Sequence, residues 1–264
     1  MNVRVLRIVV ALNALWIVLS RPALPTIFEW PSAMWNTVPP ATRVRFLMLF
    51  DVRVEWALWI ALPVLLVLVA CNVKTRWTAL AAALLLYHFA PLESIFNGAN
   101  PYLRGFTITT IALLLISAAK PGEQWPVRTV QFLFVTMYFF AGWAKILTSG
   151  LEWTTARNIH LVIHGLDQML AFPGGSHGAL GIADTPALAA ALGIGGVAFE
   201  LLFPVALFSR RAAIGLAVAA AIFHVVNYLA LHITFPELAL LVAFVDWDGT
   251  MRRCPPKSAS SSPS

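Results

Sequence analysis

Charge is what this sequence has least of. Among 264 residues there are 18 Lys and Arg and 12 Asp and Glu, so charged positions make up only 11% of the chain. A water-soluble domain of this size carries about a quarter. A surface facing water cannot be covered so thinly, whereas one facing lipid can. Cysteine is nearly absent too. Cys71 closes an apolar run and Cys254 lies near the C-terminus, which excludes a disulfide framework and a cysteine-based metal site. There is no glycine-rich phosphate loop, no zinc-protease helix and no nucleophile elbow. No stretch is polar enough to form a second, soluble domain, and no internal repeat is visible.

What fills the space is apolar: 59% hydrophobic residues and a mean hydropathy of +0.79. This composition predicts an all-α fold, a polytopic transmembrane helical bundle, with residues 1–247 as one membrane domain and 248–264 as a disordered cytoplasmic tail. The net charge of +6 would suggest nucleic acid as a partner for a soluble protein. Here the basic residues sit at the ends of apolar runs and read as topology signals and lipid head-group contacts, so the bilayer is the expected partner and no nucleic acid is.

The first apolar run, Ile8–Leu19, follows Arg4 and Arg7 as a signal peptide would. The Ser20-Arg21-Pro22 that follows is a poor cleavage site, so the run reads as a retained first span. Further runs occupy Trp56–Val73, Trp77–Pro91, Gly105–Ala119, Val127–Leu147, Pro186–Phe208, Ala212–Leu231 and Ile233–Trp247. Together they predict about eight spans, with seven to nine open because several fall short of the ~20 residues of a straight crossing.

With the N-terminus cytoplasmic, the inner ends collect Arg4, Arg7, Lys74, Arg76, Lys120, Arg128, Arg210, Arg211, Arg252, Arg253 and Lys257. The outer ends hold fewer, namely Arg21, Arg43, Arg45, Arg53, Arg104 and Arg157. That asymmetry predicts both termini in the cytoplasm, and the short tail fits a bacterial inner membrane. The outer loops Arg21–Glu55 and Gly150–Thr185 are long, and Leu151–Phe172 reads as an interfacial helix in the second of them.

Ionisable groups inside spans are expensive, which makes each a functional candidate. They are His88, Lys145, Glu200 and His224, with Asn227 three residues after His224 on the same helix face. On the expected topology most gather toward the outer side, with Asn100, Arg104 and Trp153 nearby. Glu200 is the exception, assigned to the inner half and expected to pair with a nearby helix, with Arg210 and Arg211 at the same end as candidate partners. Lys145 stands in Phe139-Phe-Ala-Gly-Trp-Ala-Lys145, where a desolvated amine would make a general base and a snorkelling one only an anchor. His160, His164 and Asp167 share a helix face with metal-ligand spacing, a pattern that the polar side of an interfacial helix also produces. His88 and His224 on two spans read as hydrogen-bonded packing residues rather than haem ligands, and no metal is expected.

Three segments resemble the HTTM family, the membrane domain shared with vitamin K-dependent γ-carboxylase. They are Tyr138-Phe-Phe-Ala-Gly-Trp-Ala-Lys145 with the following Gly150-Leu-Glu-Trp153, then Phe199-Glu200-Leu-Leu-Phe-Pro204, then Phe223-His224-Val-Val-Asn227 with Ile233-Thr-Phe-Pro236-Glu-Leu. The resemblance covers roughly residues 55–247. It implies a base role for Lys145 and a hydrophobic cofactor, a quinone (vitamin K-like) or a lipid, in an outward-facing pocket. His224 would act with Lys145, and Asn100, Arg104, Trp153 and Asn227 would hold the cofactor. A protein partner or peptide substrate would approach from the extracytoplasmic side. Two departures stand out. Asn100 occupies the place of the family's histidine in an Asn-His-x-Tyr-Leu segment, and the carboxylase's lumenal domain has no counterpart here. These departures motivate a second expectation, a non-catalytic membrane subunit or scaffold for a partner protein.

Overall fold

The computed structural model describes residues 3–21, 24–30, 51–97, 103–120, 122–170, 185–231 and 235–245. These are helical throughout, with no strand among them. The α-helices are α1 (Val3–Leu19), α2 (Val52–Ala70), α3 (Thr75–Asn97), α4 (Leu103–Ala118), α5 (Trp125–Ser149), α6 (Ala156–Leu170), α7 (Pro186–Leu202) and α8 (Arg210–Leu231). Short 3₁₀ segments lie at Leu24–Glu29, Gly150–Thr154, Phe203–Leu207 and Pro236–Phe244.

The ends follow local chemistry. Asp51 caps α2 by accepting the Arg53 N–H at 2.9 Å. Prolines stand at the first turns of α5 and α7, where a missing N–H costs nothing. Gly150 ends α5 at φ 58°, a left-handed conformation that suits glycine, and its N–H returns to the Ile146 carbonyl. Pro204 cannot donate to a continuing α-helix, and the chain tightens into 3₁₀ geometry there.

Four segments are long and apolar enough to cross a membrane: Val52–Ala70, Trp125–Thr154, Pro186–Leu207 and Arg210–Tyr228. Only 22–28% of their apolar windows is buried inside the protein. The outward residues fall at helical spacing, such as Ile60, Val64 and Val67 on α2 and Ile214, Val218, Ile222 and Val225 on α8. A stripe of that kind is stable against lipid and unstable against water.

α1 is enclosed by α2, α4 and the Pro236–Phe244 segment. Its Leu6, Val10, Ala14 and Ile17 are fully buried, and Asn13 donates to Thr109 Oγ1 of α4 at 3.1 Å. The first apolar run is therefore built into the core. The last run, expected to span at Ile233–Trp247, instead contains the nine-residue 3₁₀ segment Pro236–Phe244. At ~2 Å per residue this is about 18 Å long, short of the ~30 Å hydrocarbon layer. It is wedged between α1, α4, α5 and α8, with Leu240 and Ala243 fully buried, and it joins the two halves of the fold. Gln131 of α5 ties it down by donating to the Ala243 carbonyl at 2.7 Å. A helix does occupy the place of the expected interfacial one: α6 packs on α7, where Ile159 meets Gly193, and leaves His160 and Leu161 outside. The expected tail, 248–264, lies outside the described residues.

Candidate functional site

α5 and α7 cross at Gly142. A Cβ there would stand 2.9 Å from the Glu200 Cβ, so only glycine lets the two helices come this close. One turn further along α5, Lys145 reaches across and donates both to Glu200 Oε1 and to Oε2. The Glu200 side chain is 5% exposed and that of Lys145 25%. The indole of Trp153, carried by the Gly150–Thr154 turn, lies 5.6 Å from Lys145 Nζ and faces it as a cation–π partner. Gly193 lets α7 pack directly on that turn, since a Cβ there would meet the Trp153 carbonyl oxygen at 2.6 Å.

This geometry corrects the expected place of Glu200. It sits opposite Gly142, level with Lys145, and Lys145 bonds both of its carboxylate oxygens. It also changes the picture of Lys145. The amine is engaged as a donor on both carboxylate oxygens, and burying the two charges together costs much less than burying either alone.

Two turns before Lys145, on the same face of α5, Tyr138 bonds to His224 Nε2 of α8 at 2.5 Å. Seven helical residues place this pair about 10 Å from the lysine. Phe199 and Phe203 of the α7 end close around the phenol, with ring centroids 5.2 and 4.3 Å away, and Phe199 also meets Phe223 at 5.4 Å. His224 Nδ1 is buried and has no hydrogen-bond partner among the described residues.

Of the residues singled out in the sequence, Lys145 and Trp153 are together, and His224 joins them through Tyr138. Asn227 is half-buried on α8 and makes no side-chain hydrogen bond among the described residues. Asn100 lies outside the described residues, and of Arg104 only the backbone, in α4, is described. The same limit applies to His164 and Asp167, while His160 is exposed on α6. His88 belongs elsewhere. It pairs at 2.8 Å with Glu55 of α2, beneath the aromatic cluster of Phe28, Trp59 and Phe89.

The sequence reading gave no role to Glu55 or Tyr138, and it placed Glu237 only among the polar groups that follow the last long helix. Glu55 is 7% exposed although it lies next to a basic loop. Glu237 is 2% exposed. Tyr138 is one of four tyrosines, stands in the middle of an apolar run, and needs a partner for its hydroxyl once buried. Compared with protein-family models, curated proteins and solved structures, the chain matches none.

Proposed function

We propose that the chain is a multi-pass membrane protein of the HTTM type whose working centre is the inner face of α5. Lys145 and Glu200 there handle a proton for a hydrophobic cofactor or substrate, a quinone or a lipid, drawn from the bilayer. One observation carries the reading. The segments 138–145, 199–204 and 223–227 are far apart in the chain, and their polar residues meet in two bonded pairs on one helix face. Apolar helices have no packing reason to place a lysine, a carboxylate, a phenol and an imidazole there.

The pair has a specific chemical capacity. A proton passed from Nζ to a Glu200 oxygen leaves a neutral amine and a neutral carboxylic acid, with no net charge created. The freed amine lone pair can then take a proton from a bound molecule, and the exposed quarter of the Lys145 side chain is where such a molecule would reach it. Trp153 holds that edge of the site. Charge asymmetry puts this side of the protein outward in a bacterial inner membrane, with both termini cytoplasmic.

The second reading, a non-catalytic subunit, has its own support: Nζ gives two of its three N–H groups to Glu200, as a structural helix clamp would. The test is to purify the protein in mild detergent, extract bound organic molecules and identify them by mass spectrometry. In parallel, cellular function is measured for Lys145→Met and Glu200→Gln. The enzyme reading expects a retained quinone or lipid that both variants lose along with function. A folded Lys145→Met protein that keeps its ligand and full function refutes it.

A further inference from the structure

Beyond Tyr138 and His224, on the side away from Lys145, an apolar groove of about 560 Å³ runs between α1 and α8 over the start of the Pro236–Phe244 segment. Leu12 and Trp16 wall it from α1, Val225 and Tyr228 from α8, and Ala239 from below; its buried polar residues are Asn13, whose amide is bonded to Thr109, and His224. Leu12, Trp16, Val225 and Tyr228 are each about half exposed, so the groove is open along its length to whatever surrounds the helices.

The chemistry of its end is set by the tautomer of His224. Among the described residues, Nε2 is the partner of the Tyr138 hydroxyl. A phenol is a better donor than acceptor, so it donates and Nε2 accepts. The single proton of the neutral imidazole is then on Nδ1, and that N–H is buried with no acceptor. An unmade hydrogen bond of this kind costs free energy that a guest oxygen would recover. Neither a cation nor a carboxylate lines the groove. The matching guest is therefore neutral at the point of contact, apolar along its length, and a bearer of one acceptor oxygen.

We infer that this groove is a lipid site, occupied by one acyl chain of a bilayer glycerolipid whose ester carbonyl accepts the His224 Nδ1–H. Lateral openness to the bilayer, apolar walls and one buried donor unpartnered among the described residues fit an acyl ester better than a free fatty acid, whose carboxylate would meet no cation here. The inference rests on the membrane reading of the chain and not on a base role for Lys145.

The experiment reconstitutes the full chain in bilayers doped with a phosphatidylcholine carrying a diazirine in one acyl chain, or with its diether counterpart, which lacks the carbonyl. After irradiation the labelled peptides are mapped. The ester lipid should label peptides containing Trp16, Val225 or Ala239 about fivefold more than the ether lipid, the worth of one neutral hydrogen bond. His224→Phe should erase that preference. Ala239→Trp, which fills the groove from an exposed position, should abolish both signals. Lys145→Met should change neither, which separates this site from the proposed catalytic one. Equal labelling by the two lipids in the wild-type protein overturns the inference without recourse to any variant. So does displacement of the ester lipid by added menaquinone, which would assign the groove to a quinone instead.

Discussion

Replacing Lys145 and Glu200 singly and together separates a coupled buried pair from two independent polar residues. In Lys145→Met, Glu200 loses the Lys145 ammonium while its side chain stays 5% exposed. Orphaning a buried charge costs ~3–5 kcal/mol, and because a stranded carboxylate can take up a proton, about 3 is expected. In Glu200→Met the stranded group is Lys145, a quarter exposed on a flexible four-carbon stem. It can turn its ammonium toward the interface, so about 1 kcal/mol is expected. With both changed to Met, no charge is buried, and the helix pair should come within about 1 kcal/mol of wild type. The coupling is then about 3 kcal/mol, above the ~0.6–1.7 kcal/mol of ordinary hydrogen bonds between membrane helices. Reversible unfolding in lipid nanodiscs by steric trapping measures all four corners. Additivity within about 0.5 kcal/mol, or a larger loss for Glu200→Met than for Lys145→Met, refutes the reasoning.

Four further outcomes follow from the geometry. Tyr138→Phe leaves His224 Nε2 without its donor and should cost about 1–2 kcal/mol, with a shift in the ¹⁵N imidazole spectrum; an unchanged spectrum removes the Tyr138–His224 bond. His88→Leu should cost about 3 kcal/mol by stranding Glu55, whereas Glu55→Gln, which keeps an acceptor for the imidazole, should cost under about 1, both read by the same unfolding assay. Gly193→Ala drives a Cβ to 2.6 Å from the Trp153 carbonyl and should lose about 1–3 kcal/mol, while Gly195→Ala, with open space around it, should be near neutral. In the loop before α5, the Glu123 carboxylate accepts the Lys120 N–H and the Trp125 indole N–H, each at 2.8 Å, which holds it below the ordinary glutamate value. A depressed folded-state value means that these bonds stabilise above the unfolded value and are lost as pH falls through the folded one. A carboxyl NMR titration of Glu123 with its midpoint at or above the ordinary value contradicts this.

Runs such as Val127–Leu147 and Ala212–Leu231 were legible because a helix facing lipid needs no particular partner, only length and hydropathy. The last run was not, because Pro236 and burial on several sides turn it into a tight 3₁₀ wedge, and both effects depend on neighbours far away in the chain. Lys145 and His224 were legible as costly residues in apolar surroundings. Glu200 was recognised as pairing with a nearby helix but not with Lys145, since counting along a straight 23-residue run places it near the inner end. The antiparallel crossing at Gly142 sets it beside Lys145 instead. Glu55 was hidden by the basic residues before it, and only the approach of α3, bringing His88, explains its burial. Pairing between helices is information that a periodicity of 3.6 does not contain.

The central claim is that this polar centre sits inside a bilayer. Power-saturation electron paramagnetic resonance tests it directly, with single spin labels at Phe140 and Trp143, which precede Lys145 by five and two residues and are exposed on α5, in a background lacking Cys71 and Cys254. Both labels in lipid nanodiscs should show high collision with oxygen and low collision with a water-soluble nickel chelate, as a site in hydrocarbon requires. Nickel accessibility at the level of a water-exposed loop would contradict the account.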